Sequence, residues 1–179
     1  ARKQTPTGNA LNVQIGPGDP ISNIPVVMEF EHHQIHEGES HKAIFLNPGL
    51  NTGTIKFAVE VPANKYPHMI VSCNVFGSSA QITIYEGSTF TGGSLVPIKN
   101  KDRNSSITPG TTVKSGVTSA DGTMIESFYA GAGTKASGNS RSDSEFILKA
   151  NTTYRVDVIG LAAGTDVIVQ FNWYEDLGV

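Results

Sequence analysis

Residues 144–175, SEFILKANTTYRVDVIGLAAGTDVIVQFNWYE, decide how this chain folds. Phe146 and Leu148, then Tyr154, Val156 and Val158, alternate with Ile147, Lys149, Arg155 and Asp157. Val167, Val169, Phe171 and Trp173 alternate in turn with Ile168, Gln170 and Asn172. Period-two spacing marks strands with one buried face, because successive side chains of an extended chain point to opposite sides. Asn151-Thr152 and Ala162-Ala163-Gly164-Thr165 supply the turns between them. The result is an antiparallel meander. Trp173 shares parity with Val169 and Phe171, which assigns it to the core.

The same pattern extends upstream. TIKFAVEV (54–61) alternates cleanly, and HKAIFL (41–46), HMIVSCNVF (68–76), AQITIYE (80–86), TTVKS (111–115) and TMIESFYA (123–130) follow it. VVMEFEHHQIH (26–36) reads as a strand too, with Val26, Met28, Phe30, His32 and Gln34 on one parity and Glu37-Gly38-Glu39-Ser40 as its turn. Pro62 and Pro67 bracket a loop, 87–93 and 99–110 are loops, and SLVPI is an edge piece interrupted by Pro97. GAGTKASGNSRSDS (131–144) is a surface loop beyond ~12 residues, a length that is functional or mobile in most compact domains. Nine or ten strands and no helical period predict an all-β antiparallel sandwich, jelly-roll-like, over 26–179. Residues 1–25 hold Pro6, Pro17, Pro20 and Pro25 with Gly8, Gly16 and Gly18, which predicts an extended N-terminal arm rather than a helix or central strand. Leu11, Val13 and Ile15 alternate within it, enough to add a strand to another sheet.

Composition narrows the function. Glycine (19), proline (9) and 16% charged residues suit a turn-rich sandwich, and a net charge of −3 gives no electrostatic case for nucleic acid. One cysteine, Cys73 in an apolar strand, excludes an intrachain disulfide framework and points to synthesis in a reducing compartment. No apolar run approaches the ~18 residues of a membrane span, and the polar start carries no signal-peptide pattern. The expectation is a protein made in the cytoplasm and not exported.

The densest cluster of reactive side chains is at Glu31–His41. Four of the five histidines fall there, with Glu31, Glu37 and Glu39. Imidazole and carboxylate suit zinc and its neighbours. On a regular strand, however, same-face positions lie ~7 Å apart, so His32 and His36 stand ~13 Å apart and cannot share an ion. His33 or His36 would have to meet His41 or His68 instead, which makes those four the candidate ligands of a cupin-like site. Packing or hydrogen-bonding histidines are the simpler reading. No metal or other cofactor is expected, and a pH-sensitive contact is a variant. No Gly-x-Ser-x-Gly elbow or phosphate-binding loop occurs. Acidic pairs such as Glu37/Glu39 and Asp143/Glu145 are too common to indicate glycoside hydrolysis. Asn104-Ser105-Ser106 and Asn151-Thr152-Thr153 match glycosylation sequons but read as turn chemistry. No catalytic residue is assigned.

Taken in order, HHQIHEGESHKAIF, YPHM (66–69), IYEGSTFTGG (84–93), PIKNKDRNSS (97–106), RSDSEFILKANTTY (141–154) and NWYE (172–175) resemble a family of tailed-bacteriophage virion proteins, the capsid decoration or cement proteins. The resemblance spans about 28–175. The family's HxIHxG pattern falls on His33, Ile35, His36 and Gly38, its RNS loop on Arg103, Asn104 and Ser105, and its RxxxE(F/I)ILK segment on Arg141, Glu145, Ile147, Leu148 and Lys149. A Lys-Asp insertion-like stretch departs from the pattern. The resemblance implies a non-enzymatic jelly-roll domain bound to the outside of an icosahedral shell. Its partners would be the major capsid protein and further copies of itself, as dimer or trimer, with no nucleic acid and no membrane. Its location would be the virion surface. Arg2, Lys3, Leu11, Val13, Ile15, Arg103, Asn104 and Arg141 are the candidate capsid contacts. A tail- or fibre-associated module gripping host glycan through loops 87–110 and 131–144 is the alternative, with Phe90 their one aromatic residue.

Overall fold

In chain order the elements are β1 (Gln14–Ile15), β2 (Val27–Met28), α1 (Phe30–His36), β3 (Ser40–Asn47), β4 (Thr54–Val61), β5 (Lys65–Phe76), β6 (Ser79–Glu86), β7 (Thr91–Leu95), β8 (Ile98–Asn100), β9 (Thr112–Thr118), β10 (Thr123–Gly131), β11 (Phe146–Ile147), β12 (Thr152–Gly160) and β13 (Asp166–Leu177). This computed structural model describes residues 30–131 and 145–177, with the strand pairing of Gln14–Ile15 and Val27–Met28. Most of the predicted arm, including Arg2, Lys3, Leu11 and Val13, lies outside the described residues, as do residues 132–144 with Arg141.

The alternating segments pair as two antiparallel sheets packed face to face. One runs β11-β5-β13-β3-β8, the other β10-β6-β12-β4-β9-β7. β12 and β13, the two long strands of residues 144–177, lie in the interior of their respective sheets. In the first sheet the rows His41–Trp173–Met69, Ala43–Phe171–Val71 and Phe45–Val169–Cys73 face inward. In the second, Phe57–Val156–Ile84 and Ile55–Val158–Ile82 answer them. The Phe57 ring joins the layers, edge-on to Phe45 at 5.2 Å and to Phe171 at 5.3 Å. Each such side chain contributes roughly 1.5–3 kcal/mol by leaving water. Trp173 and Cys73 are fully buried, and burial pushes the Cys73 thiol up to about 12. An internal void beside Phe146 and Leu148 holds about 10 Å³ and is apolar, too small for a ligand.

The segment 26–36 is not one strand. Val27–Met28 is extended, but Phe30–His36 is a two-turn helix. The apolar parity of Val26, Met28 and Phe30 simply stops there. Residues 32–36 bury no side chain, so a strand face has nothing to gain, whereas Gly38 is placed to close a helix. Pro67 lies within β5 rather than in a loop before it, and β5 starts at Lys65, paired with Leu177. Thr91–Leu95 is a strand whose five residues, two of them glycine, are all exposed, so no alternation announces it.

Candidate functional site

Helix α1 is fixed by its C-terminus. Gly38 adopts φ +77°, its N–H donates to Ile35 O at 3.0 Å, and the Glu39 N–H donates to Gln34 O at 3.0 Å. This is the six-to-one and five-to-two bonding of a Schellman cap, with glycine at the left-handed position. Glu31 in the first turn complements the helix dipole. A Cβ at Gly38 would collide with Ser105 Oγ, so the helix end is seated directly on the 102–107 loop.

That loop is built by short polar side chains that each accept the backbone N–H two residues on. Asn100 Oδ1 accepts the Asp102 N–H at 2.9 Å, and Asp102 Oδ1 accepts the Asn104 N–H at 2.9 Å. Ser105 Oγ accepts the Ile107 N–H at 3.1 Å. These are successive side chain-to-backbone turns. Asn100 Nδ2 then donates to Gly38 O at 2.6 Å and to Ile107 O at 3.1 Å, tying loop and helix together. Arg103 and Asn104 are exposed at the loop's tip.

Both faces of the first sheet reach this end through β13. Trp173 and Tyr174 are consecutive and therefore point to opposite sides. On the outer side the Tyr174 ring stacks on His68 (4.5 Å), its hydroxyl shares a hydrogen bond of 2.9 Å with His68 Nδ1, and Phe30 of α1 meets it edge-on at 5.5 Å. Glu145 stands 3.8 Å from the same His68 nitrogen. On the inner side Trp173 packs against His41 with centroids 5.8 Å apart. His41 is fully buried and neither ring nitrogen has a hydrogen-bond partner. Burial is the main reason its pKa falls to about 4; Glu175 opposes that shift, and Lys101 and Lys65 add to it.

Glu175 continues the inward parity of Val167 to Trp173 and is a buried carboxylate. It accepts the Gly110 N–H (3.0 Å), the Thr111 N–H (2.8 Å) and the Trp173 indole N–H (3.3 Å), with Lys65 Nζ at 3.4 Å. Burial alone would push its carboxyl up, but these donors together hold it below the usual carboxylate range. Glu175 thereby ties the 101–110 loop to β13.

The candidate ligand histidines are distributed, not gathered. His41 faces the core and His68 the outer side of the same sheet, so the two cannot share an ion, and His33 pairs with Glu37 at 3.9 Å. Among the described residues no three His, Cys, Asp or Glu side chains are placed to hold a metal together. Among the candidate contacts, Arg103 and Asn104 sit at the α1 end, while Ile15 is paired with Val27 in the short ribbon. The structure adds roles for Asn100, Tyr174 and Glu175, which fall inside PIKNKDRNSS and NWYE without being singled out there. The i, i+2 run Asn100, Asp102, Asn104 is the signal for the loop, and the parity of the last strand is the signal for a carboxylate on a buried face.

Elsewhere, Arg155 and Asp157 form a buried ion pair at 3.0 Å on the outer face of the second sheet. Burial drives the Asp157 carboxyl up, against the pull of Arg155. The Arg155 guanidinium also lies 3.8 Å over the Tyr85 ring and donates to the Asp121 carbonyl at 2.5 Å, so the 119–121 loop is a lid over the pair. Beside it lies an open groove of about 420 Å³ lined by Thr89, Phe90, Thr118, Ser119 and Asp121. No helix among the described residues is long and apolar enough to cross a membrane. Comparison with protein families, with curated proteins and with solved structures returns no match. The phage resemblance therefore rests on this chain's residues alone.

Proposed function

We propose that this protein is a non-enzymatic capsid decoration protein that binds the outer surface of a phage head and stabilises it, with the α1 end of the sandwich facing the shell. The observation that carries the reading is a convergence. Segments scattered through the resemblance meet at one end: Gly38 of HHQIHEG seats on Ser105 of KDRNSS, and His68 of YPHM stacks on Tyr174 of NWYE beside Glu145 of RSDSEFILK. The N-terminal segment also joins the domain there, at Phe30. Phe30, Tyr66, Ile107 and Ile147 expose large apolar area around this end, with Arg103 alongside. Aromatic residues and arginine are the types enriched in protein interfaces. The strand order supports the scaffold: β3-β13-β5-β11 against β4-β12-β6-β10, with β7 to β9 as an insertion, is the nested order we read as a jelly roll. The partners on this reading are the major capsid protein and neighbouring copies of the chain, as dimers or trimers on the symmetric shell of the virion.

Co-sedimentation of the purified protein with undecorated heads, before and after expansion, is expected to show saturable binding to a fixed number of sites and heads more resistant to heat. The alternative, a tail or fibre module for host glycan, is favoured by the hydroxyl-rich groove at Phe90, whose ring carries Lys114 at 4.9 Å. Retention on host cells or glycan with no binding to heads would move the assignment there.

A further inference from the structure

The helical state of Phe30–His36 changes what the histidines can do. In an extended chain His32 and His36 are too far apart to act together. One helical turn brings them onto the same face, since residues i and i+4 are surface neighbours. Their rings stack with centroids 4.8 Å apart and planes 22° from parallel, and both side chains are exposed. We propose that His32 and His36 form a two-imidazole chelate for a borderline divalent transition metal, binding Cu²⁺ most tightly and Ni²⁺ and Zn²⁺ more weakly.

An imidazole nitrogen sits about 2.0–2.1 Å from a bound zinc ion, so two of them on one ion stand about 3–4 Å apart. The rings, now stacked at 4.8 Å, must turn out of the stack to do so, because each lone pair lies in its ring plane, and the i, i+4 backbone spacing keeps both within reach of one ion. Two histidines four apart on one helix face are also how the His-Glu-x-x-His pattern presents its zinc ligands. The Schellman cap at Gly38 and the Phe30–Tyr174 contact hold the short helix against the domain, so the backbone spacing of the pair is fixed before binding and only the two rings reorient. His33 lies about 100° round the helix from His32. It is engaged by Glu37 at 3.9 Å and is not part of the pair. No third donor completes the set among the described residues, so water or an outside group fills the remaining positions. Such an open site cannot match the affinity of a four-ligand structural zinc site. The metal preference follows the general order of divalent affinities for nitrogen ligands, in which Cu²⁺ ranks highest.

Calorimetric titration of the full chain with Cu²⁺, together with its electron paramagnetic resonance spectrum, tests this. The expected result is one principal site with nitrogen hyperfine structure from two imidazoles. His32→Ala and His36→Ala should each weaken binding by about tenfold or more, since even outer-shell changes cost about 10–100-fold, while His33→Ala leaves it unchanged. Both altered residues are exposed, and unchanged thermal melts of the apo variants would confirm the fold. Equal affinity in the His32→Ala/His36→Ala double variant, or an equal loss in His33→Ala, would overturn the assignment. Nickel-resin retention of the untagged protein, lost in the double variant, is a second readout with the same two outcomes.

Discussion

Glu175→Ala is expected to remove roughly 3–5 kcal/mol of stability, the range for deleting one partner of a buried charged network. In a domain of this size that corresponds to a fall in Tm of about 6–20 °C. Three N–H donors, from Gly110, Thr111 and the Trp173 indole, would lose their acceptor, and Lys65 would lose its buried counter-charge. Glu175→Gln keeps one carbonyl oxygen and should recover part of the loss. The effect extends to the candidate interface, because this carboxylate anchors the loop on which α1 is seated. Thermal melts and hydrogen exchange over residues 101–111 would measure it. Loss of exchange protection there, in a variant still folded elsewhere, is the expected signature, and an unchanged Tm would contradict this role for Glu175.

The second large effect is acid sensitivity through His41. Its pKa is about 4 in the folded chain, against 6.5 for an ordinary histidine, because the ring is buried and neither nitrogen has a partner. The folded state therefore refuses a proton that the unfolded chain accepts. Stability from this group is fully present above about pH 6.5, falls as pH drops towards 4, and is constant below that. The gap between the two values amounts to roughly 3 kcal/mol. Glu175, whose pKa is depressed, acts in the same direction at lower pH: its contribution is lost as pH falls through its folded value. His41→Leu separates the two. It removes a titrating ring and two unsatisfied nitrogens, and apolar replacement of such a group is near neutral or stabilising at neutral pH. Urea unfolding measured from neutral pH down to the range between those two values should show the parent losing stability more steeply than His41→Leu. Parallel slopes would mean that His41 is protonated equally in both states.

Much of the sandwich was legible in the sequence because its core strands bury one face. Tyr154, Val156 and Val158, then Val167 to Trp173 at every second position, stand inward in the structure as their parity requires. Where burial is absent the signal fails. β7 exposes every residue, and α1 buries none, so neither carries a periodicity. Gly38 reads as a turn residue, which is locally true, but its left-handed φ terminates a helix rather than linking two strands. The separation that keeps His32 from His36 holds for a strand and does not apply to a helix. Bringing His68 to Tyr174, and Ser105 to Gly38, needs the register of β5 on β13 and the folding of the 102–107 loop, and no local pattern encodes either. Glu175 is different: the alternation that assigns Trp173 to the core assigns this carboxylate there too.

Whether the α1 end faces the shell is tested most directly by cryo-electron microscopy of heads saturated with the protein. The expected result is density for the sandwich at symmetry-related sites, with α1 and the 101–107 loop against the major capsid protein. Density with that end projecting into solvent, or heads bearing no added density, would contradict it.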